Sequence, residues 1–165
     1  SCNIVTSCEG KGKTFIMFSD DLDKALATFV LANGAAATGQ KVTIFFTFWG
    51  LNVIKKLHKP NVEKDIFGKM FGMMLPSSSR KLKLSKMSMG GIGGKMMRYI
   101  MNRKGIDSLE SLRQQALENG VEFIACQMSM DVMGVKQEEL LDEVTIGGVA
   151  TYMERADNAN INLFI

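Results

Sequence analysis

At 165 residues, 46% hydrophobic content and a formal net charge of +3, the chain has the length and apolar content for one domain with a substantial core. No run approaches the roughly 18 uncharged apolar residues that span a bilayer, and no basic start, apolar stretch and cleavage site reads as an export signal, so the cytoplasm is the expected compartment. Three cysteines, Cys2, Cys8 and Cys126, and the lone His58 supply neither a disulfide framework nor a four-ligand zinc site, so reduced thiols and no metal are expected.

Residues 1–13 are small, polar and Gly/Lys-rich and read as a tail or interdomain linker, leaving 14–165 as the domain. Thr14 to Phe18 is a short apolar strand that ends at Ser19, Asp20 and Asp21. Leu22, Leu26, Phe29, Val30 and Asn33 then recur at helical spacing until Gly39. Val42 to Phe48 (VTIFFTF) gives a second strand rich in β-branched and aromatic residues. Leu51 to Leu57 is compatible with a short helix before Pro60.

From about residue 60 to 105 the pattern breaks down. Between Lys55 and Lys104 there are 13 Lys/Arg against only Glu63 and Asp65, and eight of the 13 methionines lie between Met70 and Met101. The segment reads as an inserted helical, basic, Met-rich region with a hinge at Gly90-Gly91-Ile92-Gly93-Gly94. Methionine adapts to changing contacts. A protein-contact area, an oligomer interface, a lid over a reactive group and peripheral contact with an anionic membrane are all consistent with it. Nucleic acid is not expected, because the interleaved apolar residues are methionines rather than stacking aromatics.

Ser108 to Asn119 resumes as a helix stopped by Gly120. Val121 to Ala125 is the third strand, with Cys126 just past it. Lys136 to Leu141 suggests a helix, Val144 to Ile146 a short strand, Gly147 to Ala156 a helix and Asn160 to Ile165 a last strand. About five near-continuous apolar strands separated by helices predict a three-layer α/β/α fold, Rossmann- or flavodoxin-like, with a mainly parallel sheet covered on both faces. No G-x-G-x-x-G follows the first strand and no G-x-x-x-x-G-K-[ST] occurs, so no nucleotide cofactor is expected.

In an open parallel sheet, the loops at the carboxyl ends of the strands form the ligand crevice, and Cys126 falls in such a loop. Gln127, Met128 and Ser129 follow it, with Ser129 placed to cap a helical turn whose N–H groups favour a thiolate, the reactive form. Asp20 and Asp21 follow the first strand, where they read more readily as caps of the following helix than as bases. Phe48 and Trp49 end the second strand and serve either as walls of the crevice or as core. A small buried hydrophobe is the competing reading for Cys126.

Phe45-Phe46-Thr47-Phe48-Trp49-Gly50-Leu51, Ala125-Cys126-Gln127-Met128-Ser129-Met130-Asp131-Val132-Met133-Gly134 and Gly147-Gly148-Val149-Ala150-Thr151-Tyr152 resemble the DsrE/DsrF-like sulfur-relay family, in a branch with a Met-rich insertion. The resemblance implies a parallel α/β fold, homo-oligomeric assembly and a sulfur carrier or sulfurtransferase that accepts and passes on sulfane sulfur as a persulfide on Cys126. It also implies fusion or partnership with rhodanese, TusA-like or CoA-disulfide reductase modules, so donors and acceptors are such proteins or a small persulfide such as a CoA persulfide. Gln127, Met128, Ser129, Ser19, Asp20, Phe48 and Trp49 would then bind substrate or stabilise the thiolate. The alternatives are a non-catalytic oligomeric interaction or membrane-binding module that uses the insertion, and a thiol-dependent peroxidase or reductase-associated domain.

Overall fold

A computed structural model describes residues 12–58, 63–64 and 66–165. Cys2, Cys8 and most of the predicted tail lie outside these residues, as does Pro60. The elements are β1 (Gly12–Met17), α1 (Leu22–Ala37), β2 (Val42–Phe46), α2 (Ile66–Met74), α3 (Ile92–Arg103), α4 (Leu109–Glu118), β3 (Glu122–Cys126), α5 (Gln127–Met133), β4 (Thr145–Gly147), α6 (Val149–Asp157) and β5 (Ala159–Phe164). The fold is α/β, and the five strands pair in parallel in the order β4-β3-β2-β1-β5. The chain steps outward from β1 to β4 and returns through α6 to lay β5 against β1.

Alternation along each strand sorts the side chains to two faces. Phe15, Met17, Ile44, Phe46, Phe123 and Ala125 enter the main core with Leu22, Ala25, Phe29 and Ala32 of α1 and Leu109 and Ala116 of α4. Phe29 stands with its ring 6.5 Å from that of Phe46 and 5.8 Å from that of Phe123; burying each such side chain stabilises the fold by about 1.5–3 kcal/mol. The opposite face carries a smaller cluster of Phe45, Ile124, Cys126 and Tyr152, the last from α6.

Two predicted helices are tighter turns. Residues 48–54 form a 3-10 helix because the chain must pass against the end of β1. The Gly50 N–H donates to the Phe18 carbonyl at 2.9 Å, and a Cβ on Gly50 would lie 1.9 Å from the Met17 oxygen. In place of a helix over 136–141 there is a single 3-10 turn, Gln137–Glu139. The Glu139 carboxylate accepts from the Lys136 N–H at 2.8 Å, and Leu140 bridges to Lys55 as extended chain. The first strand begins at Gly12, inside the segment read as linker, and Cys126 is the last residue of β3 rather than beyond it.

The inserted segment does contain helices, α2 and α3, and it is tied to the domain at several points. Leu82 is fully buried in the main core. The Lys83 carbonyl accepts from the Leu22 N–H at the start of α1 at 2.6 Å. Ser79 Oγ donates to Glu110 at 2.9 Å, and the buried Lys55 Nζ donates to the Pro76 carbonyl at 2.9 Å. Lys64 Nζ pairs with Glu139 at 2.9 Å with both side chains almost wholly buried. Because α1 starts at the carboxyl end of β1, the bond from Leu22 to Lys83 holds the insertion beside that end of the sheet.

Candidate functional site

All five strands run the same way, so their carboxyl ends and the loops that follow them share one edge of the sheet. Cys126 stands there, paired with Gly147 of β4, and serves as the N-cap residue of α5 in extended conformation. Its side chain follows Ile124 to the α6 face and is 2% exposed, packed in the cluster with Phe45 and Tyr152. The Phe45 and Tyr152 rings lie 5.2 Å apart, and the Tyr152 hydroxyl meets Thr14 Oγ1 at 3.1 Å. Thr14 in turn donates to Asn162 of β5.

Gln127, Met128 and Ser129 share the first turn of α5 with diverging fates. Gln127 is exposed, its Nε2 donating to Asp131 at 3.0 Å. Met128 is exposed as well. Ser129 is fully buried, and its hydroxyl lies 2.7 Å from Thr47 Oγ1 at the end of β2. Ser129 therefore does not cap α5; it ties the helix that follows the cysteine to the neighbouring strand.

Phe48 and Trp49 lie one strand over from the thiol, in the 3-10 turn. Phe48 is half-buried with positive φ, its ring 5.5 Å from that of Phe18, while Trp49 is 42% exposed. Ser19 and Asp20 follow β1, two strands from Cys126. Asp20 accepts from Asn52 Nδ2 at 2.9 Å; burial pushes its carboxyl above the ordinary value, against the lowering effects of that amide and of Lys55. Asn52 is wholly buried and its Oδ1 has no partner among the described residues. Ser19 Oγ donates to Asp21 at 2.9 Å, a local turn contact.

The structure thus gathers Cys126, Gln127, Met128 and Ser129 at one strand end, with Phe48 and Trp49 beside them, and puts Ser19 and Asp20 in a separate polar cluster with Asn52. Thr47, Tyr152 and Gly147 were not among the candidate residues. Thr47 had a signal, a hydroxyl at the carboxyl end of the apolar run Ile44-Phe45-Phe46. A cavity of about 410 Å³ lies elsewhere, between Leu22, Arg98, Met101, Asp107 and Glu110, and Cys126 does not line it.

Residues 10–164 match the model of the DsrE/DsrF/DrsH-like family. The chain is 44% identical over 155 residues to the uncharacterized protein YrkE of Bacillus subtilis, covering 94% of this chain and 97% of that one. It is 38% identical over 161 residues to the sulfur carrier protein DsrE2 of Allochromatium vinosum, covering 95% and 99%. In fold it is similar to the ychN protein of E. coli, with a TM-score of 0.55 at 11% identity over 93% of this chain and 99% of that one. By family match and by identity along almost its whole length, the chain is a member of the DsrE/DsrF/DrsH-like family, with a role in sulfur relay at the level of that family.

Proposed function

We propose that the chain is a sulfur carrier that holds sulfane sulfur as a persulfide on Cys126. The observation that carries this reading is the place of Cys126: it ends a parallel strand at the edge where α/β folds bind ligands, in a chain 38% identical to a protein named as a sulfur carrier. The Cys126 thiolate attacks the outer sulfur of a donor persulfide; that S–S bond breaks, the donor leaves as a thiolate, and Cys126–S–S⁻ forms. An acceptor thiolate then attacks the outer sulfur, the new S–S bond forms on the acceptor, and the Cys126 thiolate is released. One cysteine suffices, and no electrons are gained or lost overall.

Burial of the thiol gives this exchange a gate. A donor reaches Cys126 when Gly147, Gly148 and the first turn of α6 move aside, and the apolar cluster of Phe45, Ile124 and Tyr152 then closes over the loaded sulfur and keeps water from it. The donor is a persulfide on a partner protein of rhodanese or TusA-like type, or a small persulfide such as a CoA persulfide, the acceptor is a thiol of such a partner, and the carrier acts as a homo-oligomer. Gln127, Met128 and Trp49, all exposed near this edge, are the side chains a partner meets first.

The test is intact mass after exposure to a persulfide donor. The wild-type protein gains one sulfur atom, which a thiol acceptor then removes, and Cys126→Ser gains none at that position. Unchanged uptake in Cys126→Ser, or no uptake by the folded wild type, would leave Cys126 as a core residue.

A further inference from the structure

Both helices of the insertion turn the wrong way round for a helix in water. A surface helix buries its bulky apolar residues and exposes polar ones. In α2 the buried residue is Gly68, and Ile66, Phe67, Met73 and Met74 are 82%, 69%, 88% and 76% exposed. In α3 the buried residues are Gly93, Gly94 and Met101, whereas Ile92 and Tyr99 are 64% and 60% exposed. The glycines are inward for a steric reason: a Cβ on Gly134 of the α5 end would meet Gly68 Cα at 2.5 Å, and one on Gly93 would meet the Met87 carbonyl oxygen at 1.9 Å. Close backbone packing at these glycines leaves Ile66, Phe67, Met73 and Met74 of α2 and Ile92 and Tyr99 of α3 outward, while Met97 and Met101 of α3 turn toward the core.

The charge carried by the segment itself is of one sign. From Ile66 to Ile106 the sequence holds nine Lys/Arg and no Asp or Glu, and Lys69, Lys81, Lys83, Lys86 and Lys95 are exposed. The acidic side chains Asp23 and Glu110 that flank the segment accept hydrogen bonds from Ser85 and Ser79. A basic segment with large exposed apolar side chains fits an anionic lipid surface, whose headgroups attract Lys and Arg while Ile, Phe, Met and Tyr side chains enter the boundary beneath them.

We propose that α2 and α3 seat this protein on an anionic phospholipid bilayer, lying in the interface without crossing it. No helix among the described residues is long and apolar enough to span a membrane. Because the insertion's Lys83 carbonyl accepts from the Leu22 N–H at the start of α1, just past the carboxyl end of β1, docking brings that edge of the sheet, which also bears Cys126, toward the membrane surface. The docking is independent of whether Cys126 carries sulfur.

The test is flotation of the full chain with vesicles of phosphatidylglycerol and phosphatidylcholine, compared with phosphatidylcholine alone. The protein is expected to float with the anionic vesicles, to be released by added salt, and to remain behind with the zwitterionic ones. The triple variant Lys81→Glu/Lys83→Glu/Lys86→Glu should weaken binding by about tenfold or more, as should Met73→Ser/Met74→Ser; all five side chains are exposed, and unchanged circular dichroism confirms the fold. Phe67→Ser/Met73→Ser serves if either variant fails to fold. Cys126→Ser should bind vesicles as the wild type does, which separates this proposal from the sulfur-carrier reading. No flotation with anionic vesicles, or equal salt-insensitive flotation with both kinds, overturns it. So does a result in which the methionine variants dissociate a soluble oligomer while vesicle binding is unchanged, since the face would then join copies of the chain.

Discussion

Ser129 and Thr47 hold their hydroxyls 2.7 Å apart inside the protein, joining the first turn of α5 to the end of β2. Replacing one partner leaves the other buried and unsatisfied, at a cost of about 1–3 kcal/mol, whereas removing both restores part of the loss. Ser129→Ala and Thr47→Val should each lower stability in urea unfolding, and the double variant should lose less than the two losses added together. Simple additivity would show that the hydroxyls do not depend on each other.

Gly134 closes α5 in a left-handed conformation with Gly68 of α2 against it. Gly134→Ala meets both strain at positive φ and the Gly68 backbone, so a destabilisation of about 1–3 kcal/mol is expected. Hydrogen exchange should show α2 amides losing protection while those of β1 and β2 keep it. Uniform loss across sheet and insertion would mean that the contact belongs to the global core.

The Lys64–Glu139 pair is almost wholly buried, and Glu139 also holds the Lys136 N–H. Glu139→Gln leaves the ammonium without its counter-charge, a change that costs about 3–5 kcal/mol for buried pairs. Replacing both residues, Lys64→Met with Glu139→Leu, should recover much of it. A single variant as stable as the wild type by denaturant titration would contradict this account.

Two aspartates at the start of α1, Asp20 just before it and Asp23 in its first turn, respond to pH with opposite signs. Burial raises the Asp20 carboxyl, so its favourable contribution is present below the ordinary carboxylate value of about 4 and is lost as pH rises through the folded value. For Asp23, burial acts upward but the hydrogen bonds from the Ser85 hydroxyl and N–H outweigh it, and the carboxyl is lowered; its contribution is present above about 4 and disappears as pH falls. Asp20→Asn should therefore gain Tm over the wild type as pH rises from acid to neutral. Asp23→Asn should lose Tm at neutral pH and match the wild type in acid. Parallel Tm curves for the three proteins would refute both assignments.

The centre of the sheet was legible because β2 and β3 are short apolar runs with both faces buried: Val42 to Phe46 and Phe123 to Cys126 have no exposed residue, so continuous hydrophobicity and strand coincide there, whereas β5 is mostly exposed. The insertion was legible in charge and composition but not in orientation. Its outward apolar residues follow from glycine contacts with Gly134 and Met87 that are distant or opaque in sequence. Around the candidate site, Cys126 and its neighbours are visible as a motif, since α5 follows β3 without a loop. Thr47 and Tyr152 reach Cys126's surroundings from residues 79 positions before and 26 after it. Only the register of β2 with β3, and the packing of α6, bring them in.

The return of the chain to lay β5 beside β1 sets an order on folding. β1 has Val42 to Phe46 as a neighbour on one side, within reach soon after synthesis, but its other ladder waits for residues 159–164. Until they emerge, one edge of β1 carries unpaired backbone groups. Pairings of such long sequence separation form slowly, and open strand edges of folding intermediates invite association with other chains. The protein thus passes through a stage in which most of its main core can assemble while β1 remains an open edge, closed only by its last strand.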